Sequence, residues 1–177
     1  LYYCGLRKGE ANALTWKDIN FEDKTITINK NLTQKIKGEK YIILPAKTKG
    51  SNRTLPITDK LLNELITLKK YYKKYDNFTN NWFVFGGISP LTDSSTHLHK
   101  AQNVEKANIK LDTDKKINNI RLHDFRHSCA SLLISKGANI SLVSKYLGHS
   151  NISTTLNTYT HMFKNELEDI VKELNKL

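Results

Sequence analysis

Apolar positions recur along this chain in two rhythms, and the change between them maps its organisation. Lys8 to Trp16 has helical character that ends near Asp18. Short alternating runs follow at Thr25-Ile26-Thr27-Ile28, Tyr41-Ile42-Ile43-Leu44 and Arg53-Thr54-Leu55-Pro56-Ile57. Period two over four or five residues predicts strands, here of one small antiparallel sheet, with a turn at Lys49-Gly50-Ser51-Asn52. From Thr58 the period becomes helical. Leu61, Leu62, Leu65, Ile66 and Tyr72 share one face, and Thr58 or Asp59 supplies the cap. Trp82 to Phe85 reads as a short buried strand before Gly86, Gly87 and Pro90 break the chain. Ser94 to Lys110 predicts a polar helix with a weak apolar face.

The second half is almost wholly helical in pattern. Leu122, Phe125, Cys129, Leu132 and Leu133 stripe a helix that ends at Gly137. Ile140 to Leu147 forms a short helix that stops at Gly148. Asn151 or Ser153 caps another, running towards Tyr159. Phe163, Leu167, Ile170, Val171, Leu174 and Leu177 stripe a terminal amphipathic helix. The pattern holds no internal repeat, low-complexity tract or dividing linker. The expected fold is α+β: a mainly helical single domain over residues 1–177, with a small antiparallel sheet towards its N-terminal half.

Composition narrows the function classes. The 177 residues carry 28 Lys plus Arg against 17 Asp plus Glu, a net charge of +11. Such an excess has nucleic acid as its usual partner, and less often an anionic membrane surface. No apolar run reaches the roughly 18 residues that span a bilayer. No signal peptide opens the chain, and Cys4 and Cys129 are too few for a disulfide framework, which points to a reducing, cytoplasmic setting. His97 and His99 lack partners at zinc spacing, the carboxylates do not cluster, and there is no Gly-rich phosphate loop. No metal or nucleotide cofactor is expected. The chain begins with Leu1 and already reads as the inside of a fold, as a piece of a longer protein would.

Only Arg7, Arg53, Arg121 and Arg126 are arginines, and the other basic residues are lysines. Arginine offers a planar donor fork suited to phosphate oxygens. His123 and Arg126, at i and i+3, project from neighbouring turns on one side of a helix. They fall in its first turn, where free N–H groups and the dipole favour an anion. Taken singly, each candidate also fits an ordinary role: His123 as a local packer, Arg126 in a surface ion pair, Arg7 bridged to Glu10, His149 as a helix cap. Tyr159 lies among Thr154, Thr155, Asn157, Thr158 and Thr160, with little apolar cover in sequence.

Taken together, these segments resemble a known set. Gly5-Leu6-Arg7-Lys8-Gly9-Glu10-Ala11 is similar to the first arginine motif of the tyrosine recombinase (phage integrase) family. Leu122-His123-Asp124-Phe125-Arg126-His127-Ser128 is similar to its His-x-x-Arg motif. Leu147-Gly148-His149-Ser150, followed by Tyr159, resembles its third basic residue and nucleophile. Ala46-Lys47-Thr48-Lys49-Gly50-Ser51-Asn52-Arg53-Thr54-Leu55-Pro56 resembles the β-hairpin that carries the family lysine. The four occur in family order across nearly the whole chain, closest in flavour to integrases of prophages, conjugative transposons and genomic islands.

The resemblance implies cleavage of double-stranded DNA by a tyrosine hydroxyl, through a 3′-phosphotyrosyl bond, without metal or ATP. It gives Arg7 and Arg126 the phosphate clamp, His123 proton transfer with Tyr159, His149 a hydrogen bond to a phosphate oxygen, and Lys47 the proton for the leaving 5′-oxygen. Lys49 is the alternative to Lys47, because the hairpin register is open by two residues. Glu10 orients the first arginine. Lys8, Lys49, Arg53 and Arg121 are expected DNA-binding residues. A tail helix over 161–177 packs either on its own domain or on a neighbouring protomer, and a full family member carries a further N-terminal DNA-binding domain and assembles as a tetramer on paired sites. Two other readings remain open at this point. One is a non-catalytic DNA-binding module, since Ile140 to Thr155 looks like a helix–turn–helix. The other is a type IB topoisomerase-like enzyme.

Overall fold

The computed structural model describes residues 1–33, 40–46, 49–163, 171 and 174–176. Lys47, and most of the tail helix expected over 161–177, lie outside the described residues. The fold is α+β, as the two rhythms of the sequence predict. Helix α1 (Lys8–Ala13) is followed by β1 (Ile19–Asn20), β2 (Thr25–Ile28), β3 (Lys30–Thr33), β4 (Ile42–Pro45) and β5 (Arg53–Pro56). Then come α2 (Asp59–Tyr72), α3 (Asp93–Ile109), α4 (Leu122–Ser135), α5 (Ile140–Leu147) and α6 (Ile152–Tyr159). No helix among the described residues is long and apolar enough to cross a membrane.

The strands form two antiparallel sheets instead of the expected one. β1, β2 and β5 make the first, with Ile26 opposite both Ile19 and Leu55. β3 and β4 pair separately, Leu32 opposite Ile43. The sequence hides β3 because Lys30-Asn31-Leu32-Thr33 buries only Leu32 fully. Trp82 to Phe85 is a tight turn and not a strand. Phe83 N–H donates to Gly87 O at 2.7 Å, and Gly86 and Gly87 take positive φ, so the chain reverses before a strand can extend. Helix α1 also stops earlier than the pattern suggests. Leu14 turns extended, and Asp18 accepts from both the N–H and the hydroxyl of Thr15, folding Trp16–Asp18 into a separate 3₁₀ turn.

The caps of the later helices follow the sequence. Thr58 accepts from Leu61 N–H, and Asn151 accepts from Ser153 N–H. Helix α4 departs in one respect. Its buried face is Leu122, Arg126, Cys129, Ala130 and Ile134, while Leu132 is exposed. The face is rotated from the expected stripe so that an arginine lies on it.

Apolar burial divides between two clusters. The larger joins α1, the three-stranded sheet and α2 around Trp16, Ile26, Ile28 and Leu55. The smaller joins α4, α5 and α6 around Ala130, Val143, Leu147 and Tyr159. Gly5 lies at their seam: a Cβ there would sit 2.5 Å from Leu147 Cδ2 and 3.6 Å from Cys129 Sγ. Leu147 is fully buried and touches both halves through this contact. Leu147→Ala should therefore destabilise the protein by about 2–5 kcal/mol, the cost of a poorly relaxing cavity. Urea unfolding of the two proteins measures this, and a loss well under 1 kcal/mol would show that the seam repacks.

Candidate active site

The seam is polar at one end, and the charged groups gather there. Glu10, on the buried side of α1, accepts from the Arg7 backbone N–H at 2.9 Å and from Arg7 Nη1 at 2.8 Å. The same carboxylate accepts from Arg53 Nη1 at 3.2 Å and Nη2 at 3.0 Å. Burial would push the Glu10 carboxyl up, but hydrogen bonds and charge from Arg53, then those from Arg7, hold it below its ordinary value of 4.5.

Both arginines reach on to the C-terminal end of α5. Arg7 Nη2 donates to Gly148 O at 3.0 Å, and Arg53 Nε donates to Tyr146 O at 2.9 Å. Helix C-termini leave such carbonyls unpaired and carry partial negative charge, so guanidinium groups satisfy them well. Gly148 ends α5 in the left-handed conformation (φ 72°, ψ 43°), and a Cβ there would lie 2.5 Å from Arg53 Nη1. Glycine is thus required twice over, by the backbone and by the guanidinium packed on it.

That turn orients the next residue, His149. Its Nδ1 is 2.7 Å from the hydroxyl of Thr155, which is wholly buried on α6. Burial first, then the charges of Arg126, Arg7 and Arg53, lower the His149 pKa to about 4. The ring is neutral at neutral pH. The Thr155 contact engages Nδ1, and in the tautomer with its proton on Nε2 that nitrogen serves as a donor. The 3₁₀ turn Lys49–Ser51 lies against this residue, since a Cβ on Gly50 would be 3.3 Å from His149 O. A cleft of about 210 Å³ opens beside it, lined by Arg7, Glu10, Lys30, Asn31, Pro45 and Ser51 among others.

Arg126 is the cation of the site with a hydrogen-bond donor left over among the described residues. It is 4% exposed, with Nη1 donating to Gly5 O, and Nη2 is buried without a hydrogen-bond partner among the described residues. Burial, then the neighbouring Arg7, lowers its pKa to about 10, so it remains charged at neutral pH. Arg7, Arg53 and Arg126 interact here, with the carboxylate of Glu10 opposing them. A buried charge with an orphaned donor is costly unless something pairs with it. A phosphate oxygen meets both requirements.

Tyr159 closes the site from α6. It is 4% exposed, packed on Ala130, Ile134, Val143 and Leu147, and its hydroxyl lies 2.9 Å from His127 Nδ1. Burial raises its pKa against the pull of Arg126, so the hydroxyl keeps its proton at neutral pH. His123 is exposed in the first turn of α4 and stands edge-on to His127, with ring centroids 4.7 Å apart. Burial, then His127 and Arg126, lower its pKa.

The structure thus gathers Arg7, Arg126, His149 and Tyr159, with His123 alongside. It revises other expectations. The Arg53 side chain is 7% exposed and is bound to Glu10 and to the end of α5, so it builds the frame of the site. Arg121 is exposed and paired with Asp124 at 3.0 Å. Lys8 opens α1 half-buried. The side chain of Lys49 lies outside the described residues, as does Lys47. Sequence reasoning passed over Thr155, which carries no periodic signal six residues from His149, and His127, which the i, i+4 relation to His123 on one helix could have raised.

A model of the phage integrase family matches residues 1–166. The chain is 31% identical to the ICEBs1 integrase of Bacillus subtilis, over 99% of this chain and 47% of that protein. It is 34% identical to a XerC-like tyrosine recombinase of Caldanaerobacter subterraneus, over 98% of this chain and 46% of that one. Among solved structures, the Tn1549 transposon integrase in complex with circular intermediate DNA superposes with a TM-score of 0.78 at 26% identity. That match covers 97% of this chain and 56% of the other. The chain spans about half the length of the relatives it matches.

Two consequences of the geometry can be measured. Glu10→Gln leaves two guanidinium groups short of their anion and should cost about 3–5 kcal/mol at pH 7. Because the folded carboxyl titrates below 4.5, its contribution is complete above that pH and is lost as pH falls through the folded value. The gap between wild type and variant in urea unfolding should therefore narrow below about pH 4.5, and a gap that stays constant to pH 3 would contradict the assignment. Inorganic phosphate should raise the melting temperature above that in chloride of equal ionic strength, a ligand at 100 times its Kd adding about 2.7 kcal/mol. Arg126→Leu should remove the phosphate dependence.

Proposed function

The chain belongs to the phage integrase family, and from that premise we propose that it is the catalytic domain of a site-specific DNA recombinase. The observation that carries the reading is the buried, unpartnered Nη2 of Arg126 beside Arg7, His149 and the Tyr159 hydroxyl. In this reading these groups take the scissile phosphate. Arg7 and Arg126 hold its non-bridging oxygens, and His149 Nε2–H donates to one of them. Charge gathers on those oxygens as the tyrosine attacks, so fixed cationic donors stabilise the transition state more than the ground state. The Tyr159 oxygen attacks phosphorus, a 3′-phosphotyrosyl bond forms, and the 5′-oxygen leaves with a proton. Lys47 keeps from the family resemblance the role of supplying that proton, with Lys49 as the alternative.

The phosphotyrosyl ester conserves the energy of the broken bond, so rejoining needs no ATP, and the arginines take the part that Mg²⁺ plays in nucleases. The substrate is double-stranded DNA, drawn in by the net charge of +11 in a salt-dependent way. Assembly on paired sites into a tetramer, and action in the cytoplasm on a mobile element, belong to the same reading. The helix–turn–helix alternative is less favoured. That reading gives no role to the arginines that bind Tyr146 O and Gly148 O at the end of α5, or to the contact of His149 with Thr155.

Tyr159→Phe should abolish covalent attachment to a nicked suicide duplex while DNA binding stays within about twofold. The substrate is a site selected by the protein from a random-sequence pool, and mass spectrometry of the trapped complex identifies the attached residue. An adduct formed by the Phe variant would sink the nucleophile assignment.

A further inference from the structure

The family motif assigns proton transfer to His123, but the residue on the Tyr159 hydroxyl is His127. Its Nδ1 lies 2.9 Å from that oxygen, within ordinary hydrogen-bond range. The two rings are tilted by 57° with centroids 6.1 Å apart, so the contact is made edge to oxygen and not by stacking. The remainder of the tyrosine ring is enclosed by Ala130, Ile134, Val143 and Leu147. A buried tyrosine hydroxyl needs a partner, and His127 supplies it from the facing helix. His123 packs against the same imidazole, with ring centroids 4.7 Å apart and planes at 83°.

Three conditions for a general base are met at His127. Its Nδ1 and the Tyr159 hydroxyl oxygen lie at the heavy-atom separation that proton transfer requires. Its side chain is an imidazole, which can take up a proton at one ring nitrogen and return it. And an anion stands near it. The Asp124 carboxylate on the same helix interacts with His127 and is kept ionised, chiefly by its hydrogen bonds to Arg121. The titratable and charged groups that meet His127 among the described residues are His123 and Asp124 on α4 and Tyr159 on α6. His123 is the more exposed of the two histidines and has its ring edge against His127 and not against the nucleophile.

We propose that His127 is the catalytic base that takes the proton of Tyr159, with His123 as the residue that positions its ring. The inference rests on the reading of Tyr159 as the nucleophile. Tyr159 Oη forms its bond to phosphorus while its O–H bond breaks and the proton passes to His127 Nδ1. The P–O5′ bond breaks, and the leaving oxygen takes a proton from the lysine assigned to that step. In rejoining the order reverses: the 5′-hydroxyl attacks phosphorus as its proton returns to that lysine, the P–Oη bond breaks, and the departing Tyr159 oxygen recovers its proton from the His127 imidazolium. No oxidant, metal or co-reactant enters. For Nδ1 to accept, the resting ring must be neutral with its proton on Nε2, so cleavage requires a deprotonated His127 and slows as pH falls.

The test uses single-turnover cleavage of the nicked suicide duplex between pH 5 and 9. His127→Asn keeps an amide group where Nδ1 stood, so it holds the hydroxyl but takes no proton. Fluorine NMR of 3-fluorotyrosine at position 159 reports whether the hydroxyl contact is retained, and thermal melting reports folding. The expected result for His127→Asn is a retained fluorine shift, a rate reduced by about 10²-fold or more, and loss of the acid limb of the profile. His123→Ala should be slower than wild type but keep that limb. A His127→Asn protein with wild-type rate and profile overturns the proposal, as does an acid limb lost in His123→Ala and kept in His127→Asn. An unsubstituted protein that forms no adduct overturns the recombinase reading itself, and the two failures are thereby told apart.

Discussion

The carboxylate of Glu10 lies under the whole site. It is bound by the backbone and guanidinium of Arg7 and by both terminal nitrogens of Arg53. One charge thus orders two arginines that come from the start of α1 and from strand β5. Those arginines in turn grip the last carbonyls of α5 and set the turn that carries His149. Charge repulsion limits how many guanidinium groups can share one small volume. Here a single buried anion neutralises the two that build the frame and leaves the third, Arg126, with a donor to spare. Among the described residues the frame is satisfied internally, and the unmet donor of the site is the one on Arg126.

Burial does the remaining electrostatic work. The same enclosure that lowers the His149 pKa to about 4 keeps its ring neutral, and it raises that of the Tyr159 hydroxyl. A neutral imidazole next to three arginines adds a hydrogen-bond donor without further positive charge. A protonated, enclosed tyrosine is inert until a base and a phosphate meet it together. Both states arise from packing at the seam between the two apolar clusters, where α4, α5 and α6 present Arg126, Gly148 and Tyr159 to the N-terminal half.

The relation between pattern and structure is uneven for physical reasons. Period and capping depend on neighbours three or four residues away, so α2, α3, α5 and α6 begin and end close to where the sequence says. Strand β3 escaped because its alternation is weak, and Trp82–Phe85 was misread because two glycines turn the chain within it. Helix α4 shows the limit most clearly. Hydrophobicity alone puts Leu132 on the core face and Arg126 at its margin. The structure does the opposite because the arginine is held by a carbonyl of Gly5, 121 residues away.

The sequence by itself determined most of the helices, three of the strands and the family, because these depend on local spacing and on side-chain chemistry. Only the tertiary structure decided that Arg53 belongs to the buried frame, that Thr155 meets the ring of His149, and that His127 meets the Tyr159 hydroxyl. Each of those outcomes turns on which atoms share a buried volume and must satisfy one another there, and in such a volume residues far apart in the chain compete on equal terms with near ones.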